Sequence, residues 1–596
     1  MTRQRGTAGG EPVFEIAPRD PEGPPAHRWW PGHWQALELL APAALVVAAG
    51  LAAPALDTII VSGRHAFAGY GDLVHDPAIG HAMVDSARWV GFALAVCVAG
   101  LGIAWLAHRA EQHARTRAER WALRSAVAVL AAPVAVSAFV AGSASRLLFG
   151  AQPDSLSIGV GSAATWRVLL IAFGWQWLGL AVIVFRAGLA AMPADLLRTA
   201  RALGVGRTRR VVSVALPALY PSGALVLIIV LVAAVRVFEL ILAAVPGATQ
   251  DQADVVGVYL WRFGSQLPAG ESAALAVLLS VFVAVVGLIG LVGLNRERPA
   301  SPREDALPPP ERARLREDGP GPQRVWRDQT ARAAVAVIAM AVTAAWLLPF
   351  AALLLTSVHN PGPAAIGHWW AGGWGLGSFG RAFADGQLMP AIGDTAARAV
   401  FATLLVVALA VPAAYALAWG GLPRLTARAL IVVGTVLAVL PPQVVARPLG
   451  SGLDHLQLFG AAWPLTGVYV AFGLPLAVLL LRGSFVSVPR DVVRAAQFDP
   501  SRGAALLAVI TRCGPALVAV AVLEFIYVWD DLLIGLLFGG TEAGQATLVL
   551  FGQTREFATS AGPLAAGAVV ITVVPLILVL ATRRWLVRGL TEGVRR

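Results

Sequence analysis

Six polar or ionisable side chains interrupt runs of apolar sequence: Gln176, Arg236, Glu239, Glu524, Asp530 and Asp531. They fall in stretches such as FGWQWLGLAV, AAVRVFELIL and EFIYVWDDLLIG, where a charge is costly unless it lines a pathway or pairs with another group. Arg236 and Glu239 are three residues apart, so on one helix face they would neutralise each other. Either reading, a pathway or pairs that fix helix packing, fits the residue types. No catalytic constellation accompanies them. The Gly-rich GVGSAA at 159–164 lacks the Lys-Ser or Lys-Thr ending of a phosphate loop, and the chain contains no lysine to supply it. The 10 histidines are scattered; His108 and His113 flank one loop without metal-site spacing. Neither a metal nor a cofactor is expected on this chain, and any ATP chemistry must come from another one.

These side chains need elements that hold them inside a membrane, and the composition calls for such elements. Hydrophobic residues make up 57% of the 596 residues, charged residues 14%, and mean hydropathy is +0.70. A soluble protein carries roughly 25% charged residues, so the chain reads as an integral membrane protein whose first partner is the lipid bilayer. The net charge of +11 comes from arginines beside apolar segments. That pattern sets topology rather than marking a nucleic-acid surface, and no nucleic acid is expected. Cys97 and Cys513 are too few for a disulfide framework or a zinc site.

Residues 1–30 read as a disordered cytoplasmic tail without a cleavable signal, so that the first span acts as its own insertion signal. Apolar runs of about 20 residues, the length that crosses a bilayer, fall near 36–56, 89–107, 123–145, 166–189, 218–245 and 273–294. A second set lies near 333–357, 397–419, 427–446, 464–486, 514–538 and 563–586, with Pro441–Pro442 inside the ninth. The charged, proline-rich segment 295–331 reads as a cytoplasmic linker between a first half, 31–294, and a second, 332–596. The expected fold is all-α and polytopic: about twelve transmembrane helices in two parallel repeats of six. Arginine placement puts both termini, the linker and the arginine-rich islands in the cytoplasm. An even number of spans per half makes the pseudo-two-fold axis run along the membrane normal.

Two of those islands are the same stretch written twice. Residues 193–217 read PADLLRTARALGVGRTRRVVSVALP and 489–513 read PRDVVRAAQFDPSRGAALLAVITRC. Pro193 and Pro489, Asp195 and Asp491, Arg198 and Arg494, and Ala200 and Ala496 are each 296 positions apart. Each copy predicts a short helix, a break and a second helix leading into a span. In the first copy Gly204 and Gly206 supply the break, because glycine reaches backbone angles other residues avoid. The recurrence, together with a position between spans, makes these islands candidates for gripping a cytoplasmic partner.

The islands resemble the EAA loop of ABC importer permeases: Glu-Ala-Ala, three residues, Gly, nine residues, then Ile-x-Leu-Pro. Ala200, Gly204, Val214, Leu216 and Pro217 match in the first copy, and Ala495, Ala496 and Ile510 in the second. Arg198 and Arg494 replace the family's Glu, and Thr199 its first Ala. Pro500, Arg512 and Cys513 replace the second copy's Gly, Leu and Pro. RVFELILAAVPGAT, AAYALAW, EFIYVWDDLLIGLLF and the ending WLVRGLTEGVRR narrow the resemblance to carbohydrate-uptake, maltose-type permeases. It covers most of 166–290 and 333–596, as though two permease subunits were fused.

The resemblance implies the MetI-like, binding-protein-dependent permease fold in a bacterial cytoplasmic (inner) membrane. It implies two copies of a cytoplasmic ATPase carrying ATP and Mg, docked on the islands, and an extracytoplasmic solute-binding protein. It also implies that the segments around Gln176, Arg236, Glu239, Glu524, Asp530 and Asp531 line the central cavity and its outer gate. Carboxylates, amides and aromatics suit a sugar, which offers hydroxyls to bond and ring faces to stack. Fused iron(III)- or thiamine-type permeases share the two-island plan. An ion-driven secondary transporter and a degenerate membrane scaffold are the readings outside the class.

Overall fold

The computed structural model describes residues 33–64, 68–113, 116–149, 162–190, 192, 206, 209, 213, 216–245, 247–295, 341–359, 373–384, 386–497, 504–540, 544–554 and 557–592. Among these the chain is helical and forms no β-strand. That is the outcome lipid demands, since a helix satisfies its backbone hydrogen bonds within one segment.

The first half opens with α1 (Trp34–Gly63), which carries a π-helical turn at Ala48–Ala52. The long α2 (Pro77–His113) follows. Helix α3 (Arg117–Ala131) starts on a capping box: the Thr116 hydroxyl accepts from Glu119 N at 3.1 Å while the Glu119 carboxylate reaches back to the Thr116 amide. Then come α4 (Ala138–Phe149), α5 (Ser162–Ala190), α6 (Tyr220–Val235), the short α7 (Glu239–Ala244) and α8 (Ala269–Asn295). The second half begins with α9 (Ala341–Val358), α10 (Leu388–Trp419), α11 (Arg424–Ala438) and α12 (Pro442–His455). It continues with α13 (Ala462–Val486), α14 (Arg490–Gln497), α15 (Ala504–Arg512) and α16 (Gly514–Asp530). The short α17 (Leu533–Phe538), α18 (Ala546–Gln553) and α19 (Phe557–Glu592) complete it.

Eight helices among the described residues are long and apolar enough to cross a bilayer, or eleven if each of three bent pairs counts as one span. The shorter apolar stretch Ser222–Val235 lies in α6. Together they fall on the twelve expected positions. Four of the expected spans, however, are not continuous. The third bends by 107° between α3 and α4, and the ninth by 89° between α11 and α12. Proline sits at both turns, as Pro133 and as Pro441–Pro442, and proline removes a helical donor and clashes with the preceding turn. The fifth stops at Val235 and the eleventh at Asp530, each restarting as a six-residue helix. The tail 1–30, most of the first island and Pro500 lie outside the described residues, as does the linker apart from Asn295.

Each of the two apolar cores draws on both halves of the chain. One joins Trp89, Phe139, Phe173 and Phe238 to Leu532, Leu550 and Leu564. The other joins Leu51, Leu275 and Val283 to Ala410, Tyr469, Leu474 and Phe485. Helix α1 thus packs on α10 and α13, where small residues such as Gly50 against Ala471 let backbones approach closely. Beyond α7, residues 247–263 are clamped by Arg262 to Asp254 at 2.8 Å and by Val256 N to the Ser86 hydroxyl at 3.1 Å. Burial pushes the Asp254 carboxyl up against the opposing pull of Arg262.

The closest of these backbone approaches is at Gly179 on α5, where a Cβ would run into the Leu130 carbonyl, whereas a Cβ at Gly102 would meet nothing within 4 Å. Gly179→Val is expected to cost about 1–3 kcal/mol through overpacking, and Gly102→Val to stay within about 0.5 kcal/mol of the parent. Thermal unfolding in detergent micelles measures both.

Candidate functional site

The two interrupted spans meet where Glu239 reaches the backbone of Leu532 and Leu533. Helix α6 ends at Val235, Arg236 leaves helical geometry at φ −92° and ψ 13°, and Phe238 turns at φ −145° and ψ −66° before Glu239 opens α7. In the second half α16 ends at Asp530, Asp531 is extended at φ −69° and ψ 137°, and α17 begins after Leu532. Broken helices are tolerated at membrane depth where they are buried in protein or line a cavity, and such breaks point to the working site.

A helix start leaves four N–H groups without partners. At α17 two carboxylates take all four. Glu239 Oε1, from the first half, accepts Leu532 N at 2.8 Å and Leu533 N at 3.2 Å. Asp531 Oδ2 accepts Ile534 N at 2.9 Å and Gly535 N at 3.3 Å. The same oxygen takes the Tyr469 hydroxyl at 2.9 Å. The Asp531 carbonyl, freed by the break, accepts Gln545 Nε2 and Thr547 Oγ1, each at 2.6 Å. Gln545 Nε2 also reaches the Tyr469 oxygen at 2.8 Å, and Gly535 is needed beside it because a Cβ there would collide with Gln545 Oε1. Ala546 N bonds the Thr395 hydroxyl at 3.0 Å, and Arg398 Nη1 donates to the Gly544 carbonyl at 3.4 Å.

This geometry corrects the expected pairing of Arg236 with Glu239 along one helix face. The helix stops between them, which frees the Glu239 carboxylate to turn toward α17. The Arg236 guanidinium lies within electrostatic reach of Glu239, Asp531 and the Tyr527 hydroxyl instead of forming a private pair.

Below the breaks each helix carries a stripe of half-buried residues at helical spacing. On α6 these are Leu225, Ile229, Val232 and Arg236; on α16 they are Leu523, Ile526, Tyr527 and Asp530. Both stripes are apolar at first and end in a charged side chain at the break. Arg236 of one faces Tyr527 of the other, and Glu239 faces Asp530. Glu524 stands apart: it is 6% exposed, its oxygens press on Gly473 of α13, and Oε1 has no hydrogen-bond partner. Gln176 is also elsewhere. Its amide donates to the Val136 carbonyl at 2.9 Å and satisfies the bend between α3 and α4.

The sequence profile described as "Binding-protein-dependent transport system inner membrane component" matches residues 98–296. The osmoprotective compounds uptake permease protein of a Synechocystis species is 31% identical over 42% of this chain and 87% of its own length. The alpha-glucoside transport system permease protein of Rhizobium meliloti is 35% identical over 33% of this chain and 53% of its own. The trehalose transport system permease protein of Mycobacterium tuberculosis is 35% identical over 32% and 71%. The chain belongs to the ABC transporter permeases.

In this permease the second island is the helix pair α14 and α15, as its pattern predicts. Val493, fully buried with Val509 and Cys513 in the second core, anchors α14 and leaves Asp491, Arg494 and Ala495 exposed, with Ala496 half-buried. Ile510 is half-buried on α15. In the first island Leu216 and Pro217 are exposed, whereas Arg198, Thr199, Ala200 and Gly204 lie outside the described residues.

Sequence reasoning missed Tyr469, Tyr527, Gln545, Thr395, Thr547 and Arg398. The usable signal was a lone polar group inside an apolar run, as at Tyr469, and an arginine just inside a span, as at Arg398.

Because Tyr469 and Gln545 bond each other and converge on Asp531, their truncations should be non-additive. Tyr469→Phe and Gln545→Leu are each expected to cost about 1–3 kcal/mol, with a double mutant less destabilised than their sum. Additive losses in detergent unfolding would show that the two side chains do not act as one network.

Proposed function

We propose that this permease is the transmembrane pathway of an ATP-driven importer for sugars or oligosaccharides, with both pore halves in one chain. The observation that carries the reading is its likeness to transport-system permeases whose names specify trehalose and alpha-glucoside. The relatives' names include an osmoprotectant and two sugars, and none includes a metal or thiamine. A relative matched over 87% of its length accounts for only 42% of this chain, which supports two permease units joined end to end.

In this proposal the working parts divide between the membrane and the cytoplasm. ATP and Mg reside on a separate ATPase, two copies of which grip the islands on the cytoplasmic side of the inner membrane, where both termini also lie. The exposed Asp491, Arg494 and Ala495 form the grip on the second island, and Val493 carries its movement into the second core. Residues 198–204, with Leu216 and Pro217, form the first grip. Moving the islands shifts α6 against α16 and opens the stripes alternately to either side. An extracytoplasmic solute-binding protein delivers substrate at the far end. Arg236, Glu239 and Tyr527 contact it near the break, and the aromatic and aliphatic stripe residues pass its ring faces.

Arg198→Glu and Arg494→Glu place a like charge against any ATPase surface adapted to arginine, a juxtaposition that costs several kcal/mol. Together they are expected to reduce substrate-stimulated ATP hydrolysis about ten-fold or more while leaving the permease monodisperse. Uptake should fail on ATP depletion and survive a protonophore; the reverse pattern would identify an ion-coupled transporter.

A further inference from the structure

Three helices of the first half converge on one carboxylate, far along the chain from the interrupted spans. Glu111, in the last turn of α2, pairs with Arg124 of α3 at 2.8 Å and with Arg186, which stands one turn before the end of α5. The two legs differ in their surroundings. Arg124 is 65% exposed, so water and salt screen its leg, whereas Glu111 and Arg186 are only 21% and 20% exposed. His108, one turn earlier on α2, bonds Gln112 at 2.9 Å and leaves the carboxylate to the two arginines. The chain of α5 continues into the first island. From Glu111 two routes lead inward: α2 packs on α6, which ends at Arg236, and α3 turns through 107° into α4, which packs on α7. There a Cβ at Gly142 would meet the Leu240 carbonyl at 2.7 Å, so α4 and the helix that carries Glu239 are in direct backbone contact.

The second half makes the corresponding join by other means. Arg482 stands 296 positions after Arg186, the offset at which the islands recur, yet among the described residues no carboxylate meets it and its Nε has no hydrogen-bond partner. Instead Trp419, the last residue of α10, donates its indole N–H to the Phe485 carbonyl of α13 at 3.0 Å, with both residues buried. From this contrast we infer that Glu111 is a positioning residue for transport, an ionic latch that carries movement of the first island into α2 and α3. The second half carries the same movement through a neutral, buried bond. The inference rests on the reading of the islands as ATPase grips and adds the first contact that force meets behind each of them. An ionic latch transmits only while both charges are present, and it survives reversal of both together. A buried indole N–H fails when its donor is removed.

Cysteine labelling of the full chain with its ATPase in proteoliposomes tests this without a known substrate. Both native cysteines, Cys97 and Cys513, are buried, which keeps background labelling low. Ile229→Cys on the α6 stripe and Leu523→Cys on the α16 stripe report the two halves through their reaction with a small polar methanethiosulfonate. In the parent, ATP is expected to change both rates about five-fold or more. With Glu111→Gln, ATP hydrolysis and the Leu523→Cys response should persist, while the Ile229→Cys response shrinks to about two-fold or less. Glu111→Arg should act likewise, and adding Arg186→Glu should restore the response, a rescue that misfolding does not produce. Arg124→Gln, on the exposed leg, should change little.

Trp419→Phe should show the opposite pattern, with the Leu523→Cys response lost and the Ile229→Cys response kept. A full Ile229→Cys response in Glu111→Gln, an equal loss at both probes, or no rescue by the reversed pair would overturn the inference. A parent complex that hydrolyses ATP without a response at either probe would sink the importer reading, and this inference with it, so the two failures are distinguishable.

Discussion

The start of α17 imposes the central constraint. Four amide N–H groups open a helix at membrane depth, where water is not available to satisfy them, and each one left bare costs free energy comparable to a lost hydrogen bond. Asp531 supplies two acceptors from the same break, and Glu239 supplies two from the other half of the chain. The short helix therefore cannot be completed by its own half. Charge at a helix start is also favoured by the helix dipole, so the arrangement stabilises carboxylates that the lipid would otherwise exclude.

Much of the surrounding structure follows from holding that junction in place. Tyr469 on α13 and Gln545 before α18 clasp the Asp531 side chain and carbonyl, and Thr547 shares the carbonyl. Thr395 and Arg398 on α10 steady the strand of backbone that presents Gln545. Cores that mix both halves extend the same logic outward: α1 lies against α10 and α13, and Leu532 and Leu550 join Trp89 and Phe173. A pore whose two halves complete each other's backbone bonding can shift as rigid pieces only if those bonds have somewhere else to go. The half-buried stripes on α6 and α16 end beside that junction, in Arg236 and Asp530.

The polar groups divide by how they are satisfied. Gln176 serves a bend and Asp254 a buried clamp, each held by a partner on a neighbouring element: the Val136 carbonyl for one, Arg262 for the other. Asp530 and Arg236 remain half-buried at the ends of the stripes. Arg236 lies against the Tyr527 hydroxyl, so it too has a partner across the two interrupted spans.

The linear sequence alone determined that the chain lives in lipid, that it crosses about twelve times, and that an arginine-rich island recurs at an offset of 296 residues. Those features are local, set by runs of apolar residues and the charges between them, and they need no long-range contact to be read. The six interior polar residues stood out for the same reason. Their partners did not. Spacing placed Arg236 and Glu239 on one helix face, because nothing in RVFELIL announces that the helix stops at Val235, with neither proline nor glycine at the break. Only the packed structure shows that Glu239 caps a helix some 293 residues away, that Asp530 and Asp531 part company, and that Tyr469 and Gln545 belong to the same site. A hydrogen bond between distant segments depends on where their helices stop and pack, and that is decided by tertiary contacts rather than by any window of sequence.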